Sequence, residues 1–322
     1  MKAMLTGGTG FVGSHLVDVL HGGGHDVTAL IRSPAKAARI VEMGVRTVRG
    51  DLDDPAALAA ACDGRDTVFH VAGLVAARSE EEFLRVNRDG TRNVVAAASR
   101  AGVSRFVLVS SMAAAGPARP GRPLSGDEAP SPVTAYGRSK LAAEGVVRGS
   151  GSEWTIVRPP MVYGPRDTEV LRVFKIARSG IVPVFGSGRQ ELSAVYATDL
   201  AEALVAAAVE PVAAGKTYYA CHPETFTSEE FARKAGRALG RDVRIVSLPA
   251  GLARGLLAVT GGLARLAGRT TVLDRDKANE LLAAAWTGDP APLTRETGWR
   301  AAHDIDSGVE ATVAWCRANG WL

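Results

Sequence analysis

A tyrosine and a lysine four residues apart, in Tyr136-Gly-Arg-Ser-Lys140, lie downstream of a glycine-rich stretch, Thr6-Gly-Gly-Thr-Gly-Phe-Val-Gly13. On a helix that spacing puts the phenol and the ammonium on one face. A nearby cation favours the phenolate, so Lys140 is expected to lower the Tyr136 pKa from about 10 toward the working range for proton transfer. The glycine stretch is of the kind that holds a dinucleotide pyrophosphate. Gly7, Gly10 and Gly13 permit a tight turn and close backbone approach, and the helix start behind them offers N–H groups and a positive dipole end. Thr9, Phe11 and Val12 complete the expected cofactor-binding turn. A proton donor beside a nicotinamide dinucleotide is the minimal equipment for reducing a carbonyl or oxidising an alcohol.

Elements able to position these groups follow from the pattern of the chain. Lys2–Thr6 reads as a strand and Phe11–His21 as the amphipathic helix after the turn, the context such a fingerprint requires. Strands over Asp26–Ile31, Val45–Arg49, Asp66–Val71, Arg105–Ser110 and Trp154–Arg158 alternate with helices over Ala35–Met43, Pro55–Cys62, Glu80–Arg100 and Ala135–Arg148. This βαβ rhythm requires parallel strands with helices on both faces. The expected fold is therefore α/β, a Rossmann-type doubly wound parallel sheet with a smaller C-terminal substrate lobe. Residues 1–165 form the expected dinucleotide-binding domain. Residues 166–322 form mainly the substrate-binding lobe, interleaved with the core.

Beyond Pro159-Pro160 the rhythm is irregular, with helices expected near Val170–Ser179, Asp199–Glu210, Ser228–Leu239 and Ser307–Asn319. Short strands are expected near Tyr218 and over Arg244–Leu248. Asp199 is expected to cap a helix. Residues 116–132, rich in Pro, Gly, Ser and Ala, read as a surface loop near the site. Residues 248–268 carry Leu252, Leu256, Leu257, Leu263 and Leu266, interrupted by Arg254 and Arg265. They fit a core helix pair, a lid over a hydrophobic pocket, or a surface that touches membrane.

Composition narrows the function classes. Hydrophobic residues make up 46% and charged residues 22% of 322, an ordinary globular balance. The formal charge of +4 is scattered, without blocks of like sign, which argues against nucleic-acid binding. Cys62, Cys221 and Cys316 are odd in number and far apart. Neither they nor the six histidines have metal-ligand spacing, so no metal is expected and free thiols in a reducing cytoplasm are. The first strand begins at residue 2 or 3, leaving no room for a signal peptide. No apolar run reaches about 20 residues, so no spanning helix is expected. The predicted location is cytoplasmic.

The end of the second strand, Ala29-Leu30-Ile31-Arg32-Ser33-Pro34, lacks the acid that accepts hydrogen bonds from the adenine-ribose hydroxyls. Arg32 suits a 2′-phosphate instead, helped by Ser33 and Lys36. NADP(H) is favoured; NAD(H), with Arg32 a solvated loop arginine, remains open. Asp51-Leu52 is placed to meet the adenine.

Taken together these residues resemble the extended short-chain dehydrogenase/reductase superfamily (the NAD-dependent epimerase/dehydratase family). The nearest pattern is that of its dihydroflavonol-reductase-like and steroid-dehydrogenase-like members. The resemblance also rests on Gly50-Asp51-Leu52, Phe69-His70-Val71-Ala72-Gly73, Val86-Asn87-Arg88-Asp89-Gly90-Thr91, Val109-Ser110-Ser111 and Arg158-Pro159-Pro160-Met161-Val162-Tyr163-Gly164-Pro165. It implies that Tyr136 is the general acid/base, that Lys140 binds the nicotinamide ribose, and that Ser111 hydrogen-bonds the reacting oxygen. Ser110 would sit beside the cofactor. Val71, Ala72 and Gly73 would line its channel, and Pro159, Pro160 and Val162 would pack against the nicotinamide. Asn87 would brace the backbone. The usual dimer-forming helices of the family correspond to Glu80–Arg100 and Ala135–Arg148, implying a homodimer.

The scaffold does not specify a substrate. Family members acting on nucleotide sugars carry two arginines that grip the diphosphate, and the corresponding positions here are Leu192 and Trp286. Arg189 or Arg166 would have to substitute. Leu192 and Trp286, with Ser111, Met112 and Met161, form the expected substrate contacts. The favoured reading is an NADP(H)-dependent carbonyl reductase or alcohol dehydrogenase of an apolar or aromatic small molecule. The alternative is a nucleotide-sugar epimerase with tightly bound NAD. A dehydratase is less favoured, because Met112-Ala113 supplies no acidic pair. A dinucleotide-sensing protein without catalysis would not need the intact Ser, Tyr and Lys.

Overall fold

The computed structural model describes residues 1–266, 271 and 276–322, the side chains of 263–266 excepted. The expected apolar residues Leu263 and Leu266, with Arg265 and residues 267–268, therefore lie outside the described side chains. Strands β1 (Lys2–Thr6), β2 (Asp26–Ile31), β3 (Arg46–Arg49), β4 (Thr67–His70), β5 (Arg105–Val109) and β6 (Glu153–Val157) come first. They are followed by β7 (Met161–Tyr163), β8 (Ile181–Phe185), β9 (Glu191–Leu192), β10 (Ala194–Tyr196), β11 (Lys216–Tyr218), β12 (Phe226–Thr227), β13 (Arg244–Leu248) and β14 (Ala285–Trp286). The helices are α1 (Phe11–Gly22), α2 (Ala38–Glu42), α3 (Pro55–Cys62), α4 (Glu80–Phe83), α5 (Gly90–Arg100), α6 (Ala135–Arg148) and α7 (Thr168–Ala177). After them come α8 (Ala197–Val209), α9 (Ser228–Ala238), α10 (Ala250–Leu266), α11 (Lys277–Leu281), α12 (Ala291–Thr297) and α13 (Ile305–Ala318).

Seven strands form one parallel sheet in the order β11-β6-β5-β4-β1-β2-β3. Ala3, Met4 and Leu5 of β1 are completely buried, as continuous apolar runs in a sheet covered on both faces must be. Leu16, Val17 and Leu20 of α1 pack with Leu200, Ala203 and Leu204 of α8 in one core cluster. Leu58 of α3, Val94 of α5 and Ala143 of α6 belong to another, with Met4 and Val68 of the sheet. Strand order reverses beside β1, which opens the binding crevice at the carboxyl ends of β1 and β4.

Four local expectations are corrected. The single helix over Glu80–Arg100 is α4, a π-helical stretch over Leu84–Asp89, and α5. The wider winding is stabilised by Asn87, whose amide reaches Leu74 and Ser139. Residues 116–132 are not simply a surface loop. Ala118 and Leu124 are buried, and their N–H groups donate to Ala285 and Thr287, so the loop is bonded along β14 and the residues after it. Asp199 caps nothing. It is buried and accepts from the backbone and Nδ1 of His303, both at 2.8 Å, drawing the C-terminal segment onto α8. Finally, residues 250–266 are one helix and not a pair.

Candidate active site

The glycine turn is shaped by contact. Gly7 has φ +77°, and a Cβ there would stand 2.7 Å from the Ala72 nitrogen; one at Gly13 would stand 2.1 Å from the Gly7 oxygen. The Gly10 N–H closes the turn onto the Gly7 oxygen at 2.9 Å, and no side chain caps α1. Thr9 and Gly10 are exposed, and Phe11 and Val12 half-buried, at this uncapped end. A turn with no room for a Cβ at Gly7 or Gly13, ahead of an uncapped helix start, fits a pyrophosphate. Around it lie Val71 and Ala72, half-buried, and Gly73, exposed, after β4; Arg32 and Lys36, exposed, and Ser33 follow β2. Asp51 is exposed and accepts from the Asp53 N–H, while Leu52 packs over Gly90.

Beneath the cradle runs a saturated polar chain that the sequence did not reveal. Thr91 Oγ1 gives its hydrogen to the Asn87 carbonyl, so it accepts from His70 Nε2 at 2.9 Å. His70 Nδ1 then accepts from Thr6 Oγ1 at 2.7 Å, and Thr6 Oγ1 accepts from the Ala72 N–H. Burial, with the Lys140 charge adding to it, pushes His70 down to about 3, consistent with this neutral tautomer. His70 thus fixes the ends of β1 and β4 relative to one another.

Ser111, Tyr136 and Lys140 come together across β5 and α6. Thr134 caps α6 at Gly137, and Asp276 Oδ2 accepts from the Ala135 N–H at 2.6 Å, steadying the turn that carries Tyr136. Tyr136 is half-buried against Phe83, ring centroids 5.9 Å apart, and its hydroxyl is hydrogen-bonded to Ser111. Lys140 is buried, and its Nζ donates to the Val109 carbonyl at 2.7 Å. The expected depression of the phenol is not found. Desolvation pushes Tyr136 up to about 12 against the opposing Ser111 hydrogen bond, because the Lys140 ammonium is directed at Val109. Lys140 itself is pushed down to about 8 by burial, with Glu144 opposing.

Glu144, one turn beyond Lys140, escaped the sequence reading. It is fully buried and accepts from Ser110 Oγ at 2.6 Å, from Arg158 Nε at 2.8 Å and Nη2 at 2.7 Å, and from Arg148 at 2.9 Å. Ser110 therefore spends its hydroxyl on Glu144. The Ser110 N–H bonds the Val157 carbonyl and the Met112 N–H the Pro159 carbonyl, which ties the serine pair to the Pro159-Pro160 segment. Val162 and Met161, half-buried, begin β7 and pair with Val195 and Ala194. An acid four residues after the lysine was the available signal; its partners were not.

The expected substrate residues are brought together in part. Leu192 and Trp286 are register partners on β9 and β14. Met112, Tyr219, Cys221 and Trp286 share one apolar cluster, with Leu192 packed against it. A Cβ on Gly288 would stand 2.9 Å from the tip of Met112. The Trp286 Nε1 donates to the Glu280 carbonyl at 2.8 Å. Met161 packs instead with the cluster that contains Tyr163, Phe174 and Phe226. Arg166 is bound to Asp18 on α1, and Arg189 is exposed. Among the described residues no group of three His, Cys, Asp or Glu forms a metal site, and no helix is long and apolar enough to cross a membrane.

Comparison with known proteins agrees with this geometry. The family model of the NAD dependent epimerase/dehydratase family matches residues 3–221. A ceramide reductase of Caulobacter vibrioides is 36% identical over 99% of this chain and 95% of its own. A 3-beta-hydroxysteroid dehydrogenase of Mycolicibacterium neoaurum is 32% identical over 74% of this chain and 70% of its own. Among solved structures, MoeE5 in complex with UDP-glucuronic acid and NAD superposes with a TM-score of 0.78 at 25% identity, covering 99% of this chain and all of that one. The chain belongs to the NAD-dependent epimerase/dehydratase family and is an NAD(P)-dependent oxidoreductase of the extended short-chain dehydrogenase/reductase type.

Proposed function

We propose that this protein is an NADP(H)-dependent carbonyl reductase, or the reverse alcohol dehydrogenase, acting on an apolar small molecule. The observation that carries the reading is the apolar wall of Met112, Leu192, Trp286 and Tyr219 next to Ser111. Its only indole N–H is already spent on Glu280. Among the described residues a nucleotide diphosphate finds no paired guanidinium on this wall, and losing charge-assisted hydrogen bonds costs about 1.5–3 kcal/mol each. An apolar ring or chain gains about 25 cal/mol per Å² buried there. Ceramide and hydroxysteroids, the compounds in the names of the two sequence relatives, are largely apolar, which supports the same class.

The chemistry that a nicotinamide dinucleotide supplies here, when bound, is hydride transfer. Gly7, Gly10 and Gly13 would hold the pyrophosphate, and Pro159, Pro160 and Val162 would pack against the nicotinamide. Ser111 would orient the carbonyl oxygen, Tyr136 would give it a proton, and Lys140 would anchor the ribose. Residues after 165 supply most of the substrate wall.

A panel pairing nucleotide sugars in thermal shift with aromatic, steroidal and long-chain ketones in a turnover assay tests the substrate class. Turnover of ketones without stabilisation by nucleotide sugars is the expected outcome. Micromolar binding of a UDP-sugar, converted to an epimer without net cofactor consumption, would establish the epimerase reading.

Cofactor preference rests on Arg32, exposed at the end of β2 where no acid stands. Fluorescence titration is expected to show tighter binding of NADPH than of NADH, with Arg32→Asp reversing the order. Tighter binding of NADH by the unaltered protein sinks the preference.

A further inference from the structure

Helix α10 leaves one long face uncovered. Leu252, Leu256 and Val259 are 61%, 51% and 60% exposed, whereas Ala253 and Leu257 are buried. Steps of four and three place the exposed residues in a single stripe. One exposed leucine is ordinary; three aligned on one helix make a patch that calls for a partner.

Charge indicates which partner. From Val243 to Leu273 the chain contains Arg244, Arg254, Arg265 and Arg269 and no aspartate or glutamate. Arg244 and Arg254 are exposed, as are the apolar Ile181 on β8 and Val246 on its partner β13, the strand that leads into α10. An apolar stripe within a basic, acid-free segment complements anionic lipid headgroups above a hydrocarbon layer. At 17 residues the helix is about 25 Å long and suited to lying in the interface plane.

The same helix is joined to the site. Arg254 donates to Asn279 of α11 at 3.2 Å, and Asn279 donates to the Val133 carbonyl just before α6. The Glu280 carbonyl of α11 holds the Trp286 indole, and Asp276 holds the Ala135 N–H beside Tyr136. We propose that α10 docks the protein on an anionic lipid surface, through Leu252, Leu256 and Val259, so that the substrate enters from the bilayer. The substrate class is then a membrane-borne lipid carbonyl. This last step rests on the apolar-substrate reading; the docking itself does not.

Co-sedimentation with two vesicle types tests the docking: phosphatidylcholine alone, and an equal mixture of phosphatidylcholine and phosphatidylglycerol. Binding to the mixed vesicles, weakened by salt, is expected. The triple variant Leu252→Asp/Leu256→Asp/Val259→Asp should lose binding by about tenfold or more. Its melting temperature and its turnover of a water-soluble ketone should be unchanged, while turnover of a vesicle-embedded long-chain ketone falls. Should the triple variant misfold, Leu252→Ser/Val259→Ser serves the same comparison. Absence of wild-type binding to mixed vesicles overturns the proposal, as does equal binding by the variant. So does a wild-type dimer that the variant turns into a monomer, which would make the stripe a contact between copies. Vesicle binding without turnover of any ketone would instead leave docking intact and remove the reductase reading.

Discussion

Tyr136→Phe is expected to lower turnover by about two orders of magnitude or more while leaving nucleotide affinity unchanged, since a positioned general acid contributes about 10²–10⁴-fold. The substitution removes one oxygen. The ring keeps its contact with Phe83, and the cap of α6 by Thr134 does not involve the hydroxyl. Steady-state kinetics beside a fluorescence titration of NADPH separate the two effects. Ser111→Ala should also be severely impaired, because Ser111 bonds the Tyr136 hydroxyl. Ser110→Ala should affect turnover less, because its hydroxyl faces Glu144. Near-normal turnover in Tyr136→Phe would assign the proton to another group, and equal loss at both serines would remove the distinction between them.

Glu144→Ala is expected to destabilise the fold by about 3–5 kcal/mol, because it strands the Arg158 guanidinium in the core. Arg158 is 2% exposed, and among the described residues its side chain is hydrogen-bonded to Glu144 and, at 3.2 Å, to Tyr219 OH. Urea unfolding gives the number. Arg148→Ala removes the half-exposed partner of the same carboxylate and should cost no more than about 1 kcal/mol. Burial alone would raise the Glu144 carboxyl; the Arg158 bonds and charge outweigh it and hold it below the usual range. A carboxyl lowered in the folded state contributes stability above its unfolded pKa and loses it as pH falls through the folded value. Acidification below about pH 4 should therefore cost the wild type more stability than Glu144→Gln. A Glu144→Ala protein as stable as wild type would show that the pair contributes nothing net.

Much of the fold was legible because its signals are local. The glycine turn between β1 and α1, the four-residue step from Tyr136 to Lys140 and the boundaries of α3 and α6 depend on neighbours a few residues away. The two- and three-residue strands β7, β9, β10, β12 and β14 were missed, since segments that short show no periodicity. The π-helical turn at Asn87 was hidden for a different reason. Its stability comes from Leu74 and Ser139, distant in sequence.

By itself the sequence determined the α/β class and the glycine turn between β1 and α1, and it singled out the Ser, Tyr and Lys set as the expected site. Tertiary structure decided how these groups are held and what surrounds them. The bonds of Ser110 and Arg158 to Glu144, the pairing of Leu192 with Trp286 and the tie between Asp199 and His303 join residues 14 to 104 apart in the chain. Even the Tyr136–Lys140 pair, correctly read as neighbours on one helix face, differs electrostatically from what its spacing implied. Burial around the hydroxyl and the pull of the Val109 carbonyl on Lys140 act across the fold, and desolvation in a packed interior outweighs a cation that points elsewhere.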